Sequence, residues 1–449
     1  MSMGTTDYVV EEARLNRFHL LILFWCSMLM TFDGYDLVIY GSVLPYLMSD
    51  WKISPVLAGI IGSSALFGMM IGALTLGISS DRFGRRRVIL ICLCVFGAAA
   101  LTNGFVTNPT EFIICRVLTG VGLGGMVPNI VALMAENSSK SKRNIMITTM
   151  LCFFPVGGVI AAFSGKVVTP EFGWRANFFL AGVPLVTLPI LLRYLPESIS
   201  FLLANKRYDD ADKILCKIAP SFKGTARQLV TSHMDMHEHG VRQLRTVQLF
   251  TEGRALNTLL IWVGFGLCML MMYGLTTWLP KLMVANGYSL GSSLTFLLTL
   301  NIGAILGGLL SGWLADKIGG KYSLILFFLV AAVSIAGLGY KQNQIVLTIL
   351  LMLAGATTIG TLGLVHAFAA LFYPANVRST GVGWAAAVGR FGAVAGPAVG
   401  GYLFAQDLPV NLNFLFFAVP GVIAAIAIAL TSNKRGTESN TDVAVASVK

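Results

Sequence analysis

The sequence predicts an all-α polytopic membrane protein of about twelve transmembrane helices in two six-helix bundles, and three observations carry that prediction. Of its 449 residues, 55% are hydrophobic and only 12% charged, and mean hydropathy is +0.76, far from the balance of a water-soluble domain. Apolar stretches of about 20 residues follow one another along the chain. The second half of the chain also repeats the first at a shift of 235 residues.

The apolar stretches run over 18–40, 55–79, 88–106, 111–135, 144–167, 177–195, 256–280, 290–314, 322–340, 345–369, 380–404 and 411–431. The first is not a signal peptide. It is long, carries two acids, follows Glu11 and Glu12 and lacks an Ala-x-Ala cleavage pattern, so it reads as a retained helix. The organisation expected is an N-terminal tail (1–17), six helices (18–195), a charged linker (196–255), six more helices (256–431) and a C-terminal tail (432–449).

A net charge of +11 would suggest nucleic acid as partner in a soluble protein, so the placement of the cations decides. Arg14 and Arg17, Arg82 with Arg85 to Arg87, Lys140 to Arg143, the 193–254 connection, Lys317 and Lys321, Arg378, and Lys434 with Arg435 belong to alternate loops. The opposite side holds Lys52, Lys166, Arg175, Lys281 and Lys341. By the positive-inside rule both termini and the linker are cytoplasmic, and the basic balance belongs to the lipid bilayer, with no nucleic-acid partner. The seven cysteines suggest neither a disulfide framework nor a zinc site, and His233, His237 and His239 of the linker read as a solvated helix face, so no metal and no cofactor are expected.

The repeat shows in particular residues. Pro45-Tyr-Leu-Met48 returns as Pro280-Lys-Leu-Met283, and Asp81-Arg-Phe-Gly84 as Asp316-Lys-Ile-Gly319. Gly68, Gly72 and Gly77 return as Gly303, Gly307 and Gly312, and Arg143 as Arg378. Six helices, a charged linker and six more in the same orientation describe parallel repeats related by an axis along the membrane normal, for which alternating access by rocking of the halves is the expected mechanism.

Asp33 and Asp36 lie in the first apolar stretch. A charge near the middle of a membrane helix costs roughly 2.5 to 3.5 kcal/mol on insertion scales, so such acids mark a polar pathway, a proton carrier or an interhelical salt bridge. At the repeat shift they align with Cys268 and Met271, and Arg116 of the fourth stretch aligns with Leu351. The other half of the fold does without these charges, which favours function over architecture. Counting a 1.5 Å rise from the expected helix ends puts the two acids roughly 6 to 10 Å deep and Arg116 roughly 8 Å deep, so Arg116 is expected to pair with one of them.

Gly77-Ile-Ser-Ser-Asp81-Arg82-Phe-Gly84-Arg85-Arg86-Arg87, with its weaker copy from Gly312 through Asp316 and Gly319 to Lys321, resembles the signature loop of the major facilitator superfamily, with Ser79 in place of the commoner leucine. That resemblance implies a gating and structural role for Gly77, Asp81, Arg82, Gly84, Arg85, Arg86, Asp316 and Gly319. Arg116-x-x-x-Gly120-x-Gly122-x-Gly124-Gly125 is similar to a pattern of proton-driven members. Asn16-Arg17-Phe18-His19, Asp33-Gly34-Tyr35-Asp36 and the run from Tyr373-Pro374 through Arg378 and Trp384 to Gly389-Arg390 and Gly396-Pro397 resemble the aromatic acid:proton symporter family, nearest its benzoate-type members.

The resemblance implies a proton-coupled importer of an aromatic carboxylate in the inner (cytoplasmic) membrane, expected to be monomeric and not an enzyme. Arg116 and Arg390 are candidate partners for the carboxylate, with Phe32, Tyr35, Tyr273 and Trp384, and also Trp25 and Trp278, as candidate walls for the ring. Burial and a nearby guanidinium act on a carboxyl in opposite directions, so Asp36 and Asp33 are the candidate proton carriers. Glu136 and His366, near the ends of the fourth and tenth stretches, are further candidates for a relay or gate. Nothing resembles a nucleophile with a paired base or a phosphate-cradling loop. Readings that stay open are another organic acid as cargo (4-hydroxybenzoate, protocatechuate, muconate), export of a drug or metabolite, and a non-transporting sensor. Asp36→Asn is expected to abolish pH-gradient-driven accumulation in proteoliposomes; full gradient-driven uptake by that variant would remove Asp36 from the coupling.

Overall fold

A chain in lipid has to satisfy its backbone hydrogen bonds within each spanning segment, so each apolar stretch becomes a helix. A computed structural model describes residues 15–219, 247–251, 253–374 and 377–432, without the side chains of 81, 140, 141, 247 and 379. Among the described residues, twelve helices are long and apolar enough to cross a membrane: α1 (Arg17–Trp51), α2 (Pro55–Ser80), α3 (Arg85–Asn103), α4 (Pro109–Glu136), α5 (Lys142–Phe172), α6 (Arg175–Tyr194), then α9 (Ala255–Ala285), α10 (Leu290–Ile318), α11 (Gly320–Leu338), α12 (Gln344–Phe372), α13 (Arg378–Phe404) and α14 (Val410–Leu430). Two short helices, α7 (Ile199–Ala204) and α8 (Tyr208–Ile218), begin the linker. Its three histidines lie outside the described residues.

Helix starts follow the local sequence. Asn108 caps α4 by accepting from the Glu111 N–H at 2.9 Å, with Pro109 in the first helical position. Asn343 and Ser289 cap α12 and α10 in the same way. The first helix differs from expectation: it continues through Pro45 to Trp51 instead of ending near residue 40. Gly41, Ser42 and Pro45 thus lie in the interior of α1, as glycine and proline can in membrane helices.

The internal repeat is visible as geometry. Gly84 and Gly319 both hold φ near +90° (90° and 89°) with ψ 147°, and each starts the next helix, a conformation that excludes a side chain. The crossing of α2 with α4 recurs as the crossing of α10 with α12. Gly68 faces the Val117 carbonyl, Gly72 faces Val121 and Gly120 faces Ala65; 235 residues later Gly303 faces Met352, Gly307 faces Ala356 and Gly355 faces Leu300. Small residues let the two backbones touch, which supplies packing in lipid where no hydrophobic drive between helices exists.

The chain forms two compact units. The first comprises Met1–Ile39 with Ser64–Gly240, the second Tyr40–Ser63 with Val241–Lys449. In the first unit, α7 and α8 build a small core of Ile199, Leu202, Ala211, Ile214, Leu215, Ile218 and Ala219 onto which Phe18 packs. On its exposed side, Arg207 and Lys213 hold Asp210 below the usual carboxylate range through hydrogen bonds. In the second unit the end of α1 and the start of α2 pack against α9 and α13. Ser63 Oγ donates to the Val394 carbonyl at 2.6 Å, Trp278 Nε1 donates to Pro397 O at 2.9 Å, and the Tyr40 hydroxyl donates to Ala58 O.

The α2–α4 crossing makes a test. A methyl group on Gly124 would collide with the Met69 carbonyl and lie 2.6 Å from Met69 Cα, whereas a methyl on Gly308 would meet nothing within 4 Å. Gly124→Ala is expected to lower the melting temperature in detergent by several degrees, reflecting an overpacking cost of about 1 to 3 kcal/mol, and Gly308→Ala to leave it unchanged.

Candidate functional site

In the first unit, backbone contact fixes α1 where it carries the acids. Gly34 lies against the Phe154 carbonyl of α5, and Gly157 of α5 against Thr31 O of α1, so neither position has room for a Cβ. Two residues beyond Gly34, Arg116 of α4 reaches Asp36. Its Nη1 donates to Oδ2 at 2.7 Å, and Nη1 and Nη2 both lie 3.4 Å from the Asp36 backbone carbonyl. Arg116 is 1% exposed and Asp36 fully buried, while Asp36 Oδ1 has no hydrogen-bond partner. The structure therefore pairs the arginine with Asp36, and Asp33 is buried beside it on the same helix.

The pairing agrees with the sequence expectation, while α1 runs beyond the apolar stretch that carries its acids. With α1 running to Trp51, Asp36 lies about 22 Å from that end at 1.5 Å per residue, and Arg116 only about 10 Å from the start of α4. Measured from these ends the two residues are not level, since α1 extends further beyond the pair than α4 does.

Tyr35 points into the packing of the first unit: its hydroxyl donates to the Asn177 carbonyl at 3.0 Å and lies 3.1 Å from Ser164 Oγ. Phe32, half-buried, stands 6.5 Å from the Tyr35 ring. Trp25 is half-buried on the earlier part of α1.

In the second unit, Arg390 of α13 and His366 of α12 come together around α9. Phe265 of α9 meets the His366 ring edge-on at 4.6 Å, and Gly389, the residue before Arg390, leaves room for that phenyl ring. His366 Nδ1 lies 2.9 Å from Leu362 O and within electrostatic reach of the Arg390 guanidinium. Trp384 is 43% exposed and stacks on Trp262 at 5.9 Å. Tyr273 is buried, and Trp278, donating to Pro397 O and stacked on Phe404, belongs to the helix packing.

The basic loop after α2 is held by groups that the sequence reading missed. Glu197, at the start of the linker, accepts from the Arg86 N–H at 2.9 Å through Oε1 and so caps the first turn of α3. Arg86 itself donates through Nη2 to the Leu192 carbonyl of α6. In the second half Lys321, at the corresponding position, donates to Thr431 O at 2.6 Å. Pro196-Glu197-Ser198 before an apolar run was the available signal. Glu136 is engaged by Arg85, Nη2 to Oε1 at 2.8 Å, which places it in this loop network and away from Asp36. Arg82 is exposed with its guanidinium 5.6 Å from the Phe83 ring centroid, Gly77 closes a π-helical turn in α2, Asp316 is exposed, and the Asp81 side chain lies outside the described residues. No group of three or more His, Cys, Asp or Glu side chains that could hold a metal occurs among the described residues.

A family profile described as Major Facilitator Superfamily matches residues 24–340 and 296–446. The chain belongs to the Major Facilitator Superfamily. As a superfamily member it is a multi-pass membrane transporter and not an enzyme. It is similar to a benzoate transport protein of Acinetobacter baylyi, with 38% identity over 96% of this chain and 93% of that protein. A gentisate transporter of Corynebacterium glutamicum is 34% identical over 91% of this chain and 87% of its own length. A 4-hydroxybenzoate transporter of Acinetobacter baylyi is 32% identical over 94% and 93%. Among solved structures, the xylose transporter XylE from E. coli shares the superfamily fold at TM-score 0.74 and 17% identity, covering 94% of this chain and 98% of that one.

Removing one partner of a buried ion pair strands the other, at a cost of about 3 to 5 kcal/mol, while replacing both by apolar groups is often neutral. Arg116→Ala is expected to lower thermal stability markedly, and Arg116→Leu combined with Asp36→Leu to recover most of it while uptake stays lost. Uptake by the double variant would reduce the pair to a structural bridge.

Proposed function

We propose that the chain imports an aromatic carboxylate, benzoate first, together with protons across the bacterial inner membrane by alternating access, as a monomer with both termini in the cytoplasm. Support for the cargo comes from the relatives, which are named for benzoate, gentisate and 4-hydroxybenzoate. Support for the coupling comes from one observation above the others, the buried pair of Asp36 with Arg116. A proton arriving at Asp36 neutralises the carboxylate and frees the guanidinium to meet another anion; loss of that proton restores the pair. Asp33, buried on the same helix, titrates with Asp36 as a unit in this reading.

Arg390 is the proposed partner of the cargo carboxylate in the second unit, with the Phe265 and His366 rings as its aromatic neighbours. Phe32, Tyr273 and Trp384 are the remaining candidate ring contacts. Tyr35 takes a different role in this proposal: with its hydroxyl already engaged, it braces α1 so that Asp36 keeps its orientation toward Arg116. Glu136 and the loop residues Gly77, Asp81, Arg82, Gly84, Arg85 and Arg86, with Asp316 and Gly319 in the second half, act in gating, since Arg85 and Glu197 tie that loop to α4 and the linker.

The experiment is uptake of labelled benzoate into proteoliposomes under an inward proton gradient, with a protonophore control. Accumulation that the protonophore abolishes is the expected outcome. No flux above empty liposomes from folded protein would remove benzoate and turn the same assay to 4-hydroxybenzoate, protocatechuate and muconate.

A further inference from the structure

Asn16 works in two directions at once. Its Oδ1 accepts from the Phe18 N–H at 2.9 Å and the His19 N–H at 3.3 Å, and lies 2.9 Å from His19 Nδ1, which makes it the N-cap of α1. Its Nδ2 donates to Lys217 O at 2.8 Å and to Ile218 O at 3.1 Å. Those are two of the last carbonyls of α8, which have no partner within their own helix. One carboxamide thus terminates two helices that lie 201 residues apart in the chain.

The chemistry is particular to this side chain. Aspartate, serine or threonine can cap an N-terminus by accepting, but capping α1 while giving two hydrogens to carbonyls calls for an amide. Neighbouring residues reinforce the junction. Phe18 packs on the α7–α8 core, and His19 is buried at 1% exposure. The hairpin is anchored at its other end through Glu197, which caps α3 beside the Arg85–Glu136 pair.

We infer that Asn16 is a positioning residue for transport: it ties α1, the helix that bears Asp33 and Asp36, to the linker hairpin so that the two move as one piece. This rests on the reading of the chain as an importer coupled through Asp36. The hairpin sets the depth and rotation of α1 at its first turn, and with them the reach of Asp36 to Arg116. Asn16 touches neither cargo nor acid.

The test compares Asn16→Asp, which keeps the α1 cap but cannot donate to α8, with Asn16→Ala, which loses both. Benzoate uptake by each is expected to lose at least fivefold in Vmax with KM within twofold of wild type, whereas a plain capping role would be rescued by aspartate. A second variant, Asn16→Cys with Lys217→Cys in a Cys216→Ser parent, is expected to be slow when reduced. It should recover to within twofold of the parent when a short bis-methanethiosulfonate reagent joins the two thiols. Wild-type uptake by Asn16→Asp, or a cross-linked protein no faster than its reduced form, overturns the inference. If wild type itself takes up no benzoate, the cargo reading fails and hydrogen exchange reads the tie directly. Asn16→Asp should then speed exchange in both α8 and the first two turns of α1, and unchanged α1 exchange overturns the tie.

Discussion

A guanidinium and a carboxylate buried together inside a membrane helix bundle must face each other, and the Arg116–Asp36 contact at 2.7 Å constrains much of the first unit. The pair forms only if α1 and α4 hold their registers. Backbone-close crossings supply that rigidity: α1 rests on α5 at Gly34 and Gly157, and α4 rests on α2 at Gly68, Gly72 and Gly120. Tyr35 adds a hydroxyl anchored to Ser164 and to the Asn177 carbonyl. Against an apolar replacement a buried ion pair adds little net stability, whereas losing one partner strands the other.

The two halves share an architecture and differ in chemistry. The glycine crossings, the φ near +90° at Gly84 and Gly319, and the contacts of Arg86 and Lys321 with distant carbonyls recur at the repeat shift. The charges do not: Cys268 and Met271 occupy the places of Asp33 and Asp36, and both are buried. An apolar copy beside a charged one shows that the fold itself does not require the two acids and Arg116. Arg390, next to Gly389 and the Phe265–His366 contact, is a charge without a counterpart in the first half, where Pro155 stands at the repeat shift.

Control of α1 is exerted from its ends as well as its middle. The first turn is fixed through Asn16 and Phe18 to the linker hairpin, and the last turns pack with α9 and α13 in the second unit. The linker is thereby joined to the first turns of both α1 and α3. Its Glu197 caps α3, and its two short helices have an apolar core of their own.

By itself the sequence determined the twelve spans, the repeat, the superfamily and the presence of charges within the spans, because hydropathy, internal alignment and intramembrane charge are local quantities that need no coordinates. It also pointed Arg116 toward the acids of α1, although by a helix end that proved about three turns short. Tertiary structure alone decided that Asp36 takes the arginine, that the Tyr35 hydroxyl is spent inside the packing, that Glu136 belongs to Arg85, and that Glu197 and Asn16 stitch the linker to the bundle. Each of these depends on which face of one helix meets another far away in the chain. A periodicity of 3.6 residues fixes the faces of a helix, but when nearly all of them are apolar it does not say which neighbour each one meets.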